Sequence, residues 1–509
     1  MSDEMGSATS ETDESEGGED IFSQVLRGGG IAFVAFVANL VSKAIGFVFN
    51  IVVAQFLGAG GYGLFVLGLT ITQLAQPVAL LGLPDGIVRY VSKYRSEGAA
   101  AKVRGTVFTS LLISGSLGVL FGIGAILLSR PLSARVFNDP ELTEVLPIFG
   151  VAIPFFVLLQ ASTSVAVGFK RVEFQQAIQN IAFPLLKLGF VGGALYLGYQ
   201  LVGAVSGLVL AVAVSSLAGL AVIPRVFSEI DVRGPIQTEH KTLLRYSMPV
   251  FLSGFSYLAL NQFDRLILGA FRSAASVGIY NASSVLSQQG IIFFVALVTI
   301  FNPIASDLYS SGSIDRLEVV YQTVSRWLLV CTFPIVVIGA LFSTELLLLF
   351  RAEFVEGVPV LVILFVVQLL YVAVGPAGEL LQMSGFQDIV LIDTATMLVV
   401  NIVLNLLLIP RYGAIGAAVA TGTSIAGVQL AELYQTKKYV GIQPLERRYF
   451  YVAAIGGLFA VATYGVSLLS LALVPRIASA VVVTAGYAVL IWIFTITEED
   501  REMLRTLIS

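Results

Sequence analysis

Apolar residues run in long, nearly unbroken stretches along most of the chain, and polar residues collect in short patches between them. An α-helix needs about 20 apolar residues to cross the roughly 30 Å hydrocarbon core of a bilayer. Fourteen stretches meet that length: 30–56, 63–83, 105–129, 145–168, 177–198, 202–223, 247–270, 279–303, 327–349, 358–381, 390–409, 414–436, 450–472 and 477–495. The predicted class is an all-α polytopic membrane protein of about fourteen transmembrane helices. The 202–223 and 414–436 stretches are rich in Gly, Ala and Ser, which favours close helix packing over lipid exposure.

The polar patches set an orientation. With the N-terminus in the cytoplasm, twenty Lys and Arg residues fall on cytoplasmic segments and six on outer ones, the asymmetry expected of a membrane protein. An even number of crossings puts both termini on the cytoplasmic side. The chain also repeats itself: Tyr62-Gly63-Leu64-Phe65 returns as Val277-Gly278-Ile279-Tyr280, and Tyr199 to Gly203 returns as Tyr412 to Gly416. Nearly equal offsets predict two six-helix units of the same orientation, with a substrate site between them. The expected organisation is an acidic disordered tail (1–28), an N-terminal lobe (29–224), a cytoplasmic linker (225–246), a C-terminal lobe (247–440), and two further helices with a tail (441–509).

Composition agrees with this and narrows the chemistry. Hydrophobic residues are 57% and charged residues 12%, against roughly 45–50% and 25% in soluble domains. Residues 3–20 hold eight acids and no base, which predicts disorder, with no basic segment before the first helix to mark a cleaved signal. No basic soluble region offers nucleic acid a grip. One cysteine, Cys331, and one histidine, His240, exclude disulfide frameworks, His-based metal sites and the usual triads. Gly58-Ala59-Gly60-Gly61-Tyr62-Gly63 matches the G-x-G-x-x-G pattern, but it joins two membrane helices where a dinucleotide fold needs a strand, so a tight outer turn is predicted. Asn281-Ala282-Ser283 is a formal sequon at a helix start, too close to lipid for use.

Charges inside the spans carry the most information, because each costs at least ~2.5–3.5 kcal/mol at a helix centre. Lys43 and Lys187 lie near the middles of their spans, roughly 15 Å from either end, too deep for a lysine stem to reach water. Each is expected to face a wet cavity or an anionic partner. Neither helix carries an acid, so both suit a phosphate; the alternatives are bonds to backbone carbonyls or internal pairing with Glu379 or Asp393. Asn39 and Asn50 are neutral cavity candidates on the first helix. Asp264-Arg265 is either a clamp between helices or a gate or ion-coupling group, and Asp85 with Arg89 is a candidate inner gate pair. Glu345, Glu379, Asp393 and Glu432 sit near span ends, where solvated head groups are expected. No cofactor is expected; a coupling proton or sodium ion is left open.

Several of these segments resemble one family. Ala54-Gln55-Phe56-Leu57-Gly58 with Tyr62-Gly63-Leu64-Phe65, then Gly82 to Tyr94, Gly168-Phe169-Lys170-Arg171, Pro184 to Leu188, and Asp264 to Gly269 with Val277 to Ala282 are similar to the polysaccharide transporters. These are oligosaccharide flippases of the multidrug/oligosaccharidyl-lipid/polysaccharide exporter superfamily. The resemblance spans about residues 24–440. It implies two six-helix bundles in a V, as in the multidrug exporters; the two C-terminal helices read from hydropathy lie outside it. It also implies alternating access and a cargo of polyprenyl- or dolichyl-phosphate-linked oligosaccharide, moved to the outer face of the plasma membrane in company with glycan-assembly enzymes. A cation-coupled drug exporter of the same superfamily is the alternative, but exporters carry an acid in their first helix and this one carries Lys43. A scaffold would have no use for buried charge, and a glycosyl enzyme would need a larger loop than any here.

Overall fold

The computed structural model describes the backbone of residues 11–227, 234–260, 262–469 and 472–495, and side chains from Leu40 onward within these, Ser253 and Tyr257 aside. Residues 1–10 of the predicted tail and part of the linker thus lie outside the described residues, and residues 11–28 continue the first helix. The helices are α1 Glu11–Leu80, α2 Leu83–Ser96, α3 Ala100–Pro131, α4 Glu141–Gly168, α5 Val172–Gln175, α6 Phe183–Tyr196, α7 Gln200–Val226, α8 His240–Leu260 and α9 Phe263–Phe271. They continue as α10 Ala274–Ser287, α11 Ile292–Ser310, α12 Ile314–Leu341, α13 Ser343–Leu348, α14 Val358–Val372, α15 Ala377–Met383, α16 Gln387–Gln435, α17 Arg447–Leu468 and α18 Leu473–Phe494. No strand occurs among the described residues.

Eleven described segments are long and apolar enough to cross a membrane. Two of them carry two predicted crossings each. The chain in α1 doubles back at Gly58, the one non-helical residue inside it (φ 69°). Phe49 and Phe65 place their rings 5.9 Å apart, whereas sixteen residues of straight helix would separate them by about 24 Å. The predicted outer turn is therefore a fold at a single glycine, with residues 59–63 already helical. Gly413 (φ 58°) folds α16 in the same way, so that a Cβ on Gly427 would lie 2.9 Å from the Met397 sulfur. Positive φ at both sites is ordinary for glycine and costly for other residues. The predicted 247–270 crossing is divided between α8 and α9. About fourteen crossings result.

The repeated segments meet one another. A Cβ on Gly63 would lie 1.8 Å from the Ala274 carbonyl oxygen, and one on Gly278 would lie 2.2 Å from that of Ala59. Backbone thus touches backbone where α1 meets α10, at the end of the molecule that carries the Gly58 fold. Glu353 adds a hydrogen bond from the Ala59 amide at 2.9 Å, and Gln55 donates to the Leu349 carbonyl at 2.7 Å. The largest buried cluster lies around this seam, with Phe65, Phe149, Tyr280, Phe350 and Phe354 inside it.

A second seam closes the opposite end, where α2 meets α8. Cβ atoms on Gly82 and Gly86 would lie 2.2 Å from the Ser247 carbonyl and 2.4 Å from its hydroxyl. Tyr246 stacks edge-on against Tyr90 with centroids 5.8 Å apart. The segment before α8 is stapled to the start of α3: Gln237 donates to the Ala101 carbonyl at 3.0 Å, Arg104 donates to the Pro235 carbonyl at 2.9 Å, and Lys102 pairs with Glu239 at 2.6 Å. Tyr94 also donates to Glu239, at 2.6 Å. Helices α17 and α18 pack on α12 through Tyr449, Phe459, Tyr487 and Ile491, and the cover of Phe333 on Gly456 fixes that contact.

Candidate functional site

Between the two seams lies a cavity of about 500 Å³, within the range of small-molecule sites. Its wall takes Phe49, Asn50 and Gln73 from α1, Lys187 from α6, Asp264 and Arg265 from α9, Asn281 and Ser284 from α10, Gln368 from α14 and Thr421 from α16. Amides, hydroxyls and three charges in so apolar a chain mark a space built for a polar guest. A smaller space of about 440 Å³ shares Gln73, Leu258 and Gln262 with it and extends to Asp85 at the α2 end.

The polar groups form chains that cross from one half of the sequence to the other. Tyr62 donates to the Asn50 side chain at 2.7 Å and accepts from Asn281 at 2.6 Å, while Asn50 donates to the Gly46 carbonyl at 2.7 Å. Arg265 donates to Gln262, which donates to Gln73 at 3.0 Å. Asp264, 3% exposed, accepts from Tyr280 on α10 and from the Arg265 amide at 2.7 Å. Such shared bonds avoid the cost of about 1–3 kcal/mol that each orphaned buried group carries.

The cavity charge is not balanced. Asp264 can offset one cation, yet Lys187 and Arg265 both line the wall. Among the described residues no carboxylate pairs with Lys187; its ammonium sits 4.2 Å above the Phe49 ring and 5.8 Å from that of Phe183. The expected alternative of an ion pair with Glu379 or Asp393 is absent. The Arg265 Nε–H is buried with no acceptor among the described residues. A cavity with one spare cation and an unused guanidinium donor suits an anion.

The other predicted residues fall as follows. Lys43 is exposed on α1 and outside the cavity wall; it shares a helix face with Asn50, seven residues and about 10 Å toward the α2 end. The Asn39 side chain lies outside the described residues. Asp264 joins α9 to α10, the clamp geometry, with Arg265 beside it in the wall. Asp85 and Arg89 do not meet as a pair: Arg89 lies 4.4 Å over the Tyr246 ring, and Asp85 faces the smaller space. Two of the acids expected to be solvated are not. Glu432, 5% exposed, lines a separate space of about 380 Å³ with Glu379 and Gln429, because α15 folds across the end of α16. Glu345 pairs with Arg476.

Asn281 and the amides Gln73, Gln262 and Gln368 are wall residues that the sequence reading passed over. Their signal was present: neutral amides inside spans otherwise apolar, with Asn281 directly following a repeated segment.

Known proteins bear on this arrangement. The family described as polysaccharide biosynthesis protein matches residues 31–309, and the MatE family matches residues 249–407. Among curated relatives, the probable low-salt glycan biosynthesis flippase Agl15 of Haloferax volcanii is 24% identical over 80% of this chain and 83% of its own. The lipid II flippase MurJ of Bacillus subtilis is 23% identical over 82% and 84%. Among solved structures, a lipid II flippase MurJ in an inward closed conformation superposes with a TM-score of 0.72 at 14% identity, over 91% of this chain and 98% of that one. A multidrug resistance MATE transporter of the MOP superfamily, inward-facing, gives 0.68 at 16%, over 81% and 98%. The polar, cation-bearing cavity sits within a fold shared with these solved structures, and the chain belongs to the polysaccharide biosynthesis protein family.

Proposed function

We propose that the protein moves a lipid-linked oligosaccharide, on a polyprenyl or dolichyl phosphate carrier, from the cytoplasmic to the outer face of the plasma membrane by alternating access. In this reading the termini and the α2 end are cytoplasmic, and the two repeated units rock about the cavity, opening one seam as the other closes. The observation that carries it is Lys187, without a carboxylate partner among the described residues, in a cavity wall that also holds Arg265. A phosphate supplies the missing negative charge, the wall amides take sugar hydroxyls, and the polyprenyl tail remains in lipid. Lys43 meets the phosphate on the cytoplasmic approach, about 10 Å before Asn50. The Agl15 and MurJ relatives support a flippase, and glycan-assembly enzymes are the expected suppliers.

The test is Lys187→Ala in a cell that depends on the protein for its surface glycan. A charge-assisted hydrogen bond contributes about 1.5–3 kcal/mol, so glycan display should fall roughly 10–100-fold. Lys187→Arg should retain most of it, and membrane abundance should be unchanged in both. Normal display in Lys187→Ala, and in its combination with Lys43→Ala, would remove the phosphate role. Drug efflux without any change in glycan display would favour the cation-coupled exporter instead.

A further inference from the structure

A second concave site lies away from the central cavity, between α2 and the end of α4. We propose that this groove binds a phosphate group at the cytoplasmic membrane surface, as a site separate from the one that carries cargo. Helix α2 is amphipathic: Leu83, Ile87, Val91 and Tyr94 are buried. Arg89, Ser92, Lys93 and Ser96 recur at intervals of three and four and share its opposite face. That face lines a space of about 920 Å³, with Arg95 and Lys170 completing the wall; the Glu97 carboxylate lies outside this lining, 3.9 Å from the Lys93 ammonium.

Two features make this more than the usual scatter of cytoplasmic cations. Arg95 fixes the two walls together, donating to the Phe169 carbonyl at 2.9 Å with its guanidinium 5.5 Å from the Phe169 ring. At the base, Gly168 lets α4 approach Val91, where a Cβ would lie 2.9 Å from that side chain. Lys170 then stands at φ 62° just past the end of α4, a position that normally takes glycine. Lysine in the left-handed region is uncommon, and here it lines the same space as Lys93. Two mobile ammonium groups, a guanidinium held on each flank and two serine hydroxyls match the charge and acceptor oxygens of a phosphate.

The phosphate could belong to an anionic lipid headgroup or to a soluble phosphate compound, and the experiment separates these. Full-length protein in detergent is mixed with phosphatidylglycerol or phosphatidylcholine and examined by native mass spectrometry, with inorganic pyrophosphate as the soluble competitor. The expected result is retention of phosphatidylglycerol over phosphatidylcholine, weakened by salt. Retention should drop at least tenfold in the Lys93→Gln/Lys170→Gln double variant and return in Lys93→Arg/Lys170→Arg. Displacement by pyrophosphate supports the site and names soluble phosphate as a ligand; retention that pyrophosphate does not touch supports it and names the headgroup. Lys187→Ala should leave this binding intact, so failure here is distinct from failure of the transport reading. Equal retention of both lipids by the parent protein with no pyrophosphate binding overturns the proposal. So does a double variant, melting like the parent, that still binds as well as the parent.

Discussion

Substituting Gly63 by alanine tests whether the contact between α1 and α10 is what holds the Gly58 end shut. The new Cβ would lie 1.8 Å from the Ala274 carbonyl oxygen and 2.5 Å from its carbon. A carbon–oxygen contact of this kind settles near 3.3–3.6 Å, so the helices must separate locally by about 1.5 Å. Both obstructing atoms belong to the backbone, and no side chain can rotate aside. Overpacking of this size costs about 1–3 kcal/mol, which under the proposed alternating access falls on the state closed at this end and spares the one open there. A bias of that size changes the population of a two-state transporter by roughly 5–150-fold. The assay uses the single cysteine of the chain: Cys331→Ser removes it, and Ser284→Cys places a thiol in the cavity wall. An impermeant thiol reagent applied outside should then react faster by that factor in Gly63→Ala. Gly60→Ala is the control, since nothing lies within 4 Å of its added Cβ; it should react like the parent and be slightly stabilised, by up to about 1 kcal/mol for alanine over glycine in a helix. Equal reactivity in the two variants, with both still folded, would show that another contact seals this end.

Further outcomes follow from the hydrogen-bonded seams. The Lys102 ammonium, and then the Tyr94 hydroxyl, hold the Glu239 carboxyl below its ordinary range. A depressed carboxylate contributes stability that is present above its unfolded value near 4.5 and is lost as pH falls through the folded value. Protection of residues 236–239 against hydrogen exchange, taken relative to intrinsic rates at each pH, should therefore be greatest at neutral pH and decline as the pH falls below about 4.5; protection insensitive to acid, or unchanged in Glu239→Gln, would refute a role for this carboxylate in holding the segment. Tyr62→Phe removes the hydroxyl between Asn50 and Asn281 and leaves both amides short of a partner, costing about 1–3 kcal/mol. Thermal melting should report that loss, and a melting curve identical to the parent's would mean that water replaces the hydroxyl at no cost.

The helices were legible because their cause is local. A span that meets lipid must be apolar and must bond its own backbone, so hydropathy along the chain locates it without knowledge of any neighbour. The repeat was legible for the same reason, as like segments at like offsets. It also marked the contact between Gly63 and Gly278, which hold equivalent positions in the two like segments. The depth of Lys187 required only counting residues from its span ends.

Pairing was not legible. Asp85 and Arg89 lie one turn apart, yet Arg89 stacks on Tyr246, which α8 brings from 157 positions later in the chain. Asn281 reads as a formal sequon at a helix start until its partner is known to be Tyr62, 219 positions away. Lys43 and Lys187 look alike by depth, but only Lys187 enters the cavity wall. Glu432 counts as a span-end acid until α15 covers it. By itself the sequence determined which segments cross the membrane and which charges lie deep in them, since both depend on distance along a helix. Which of those charges share a space was decided only by the tertiary structure, because the packing of α1 on α10 and of α2 on α8 depends on groups that no single helix contains.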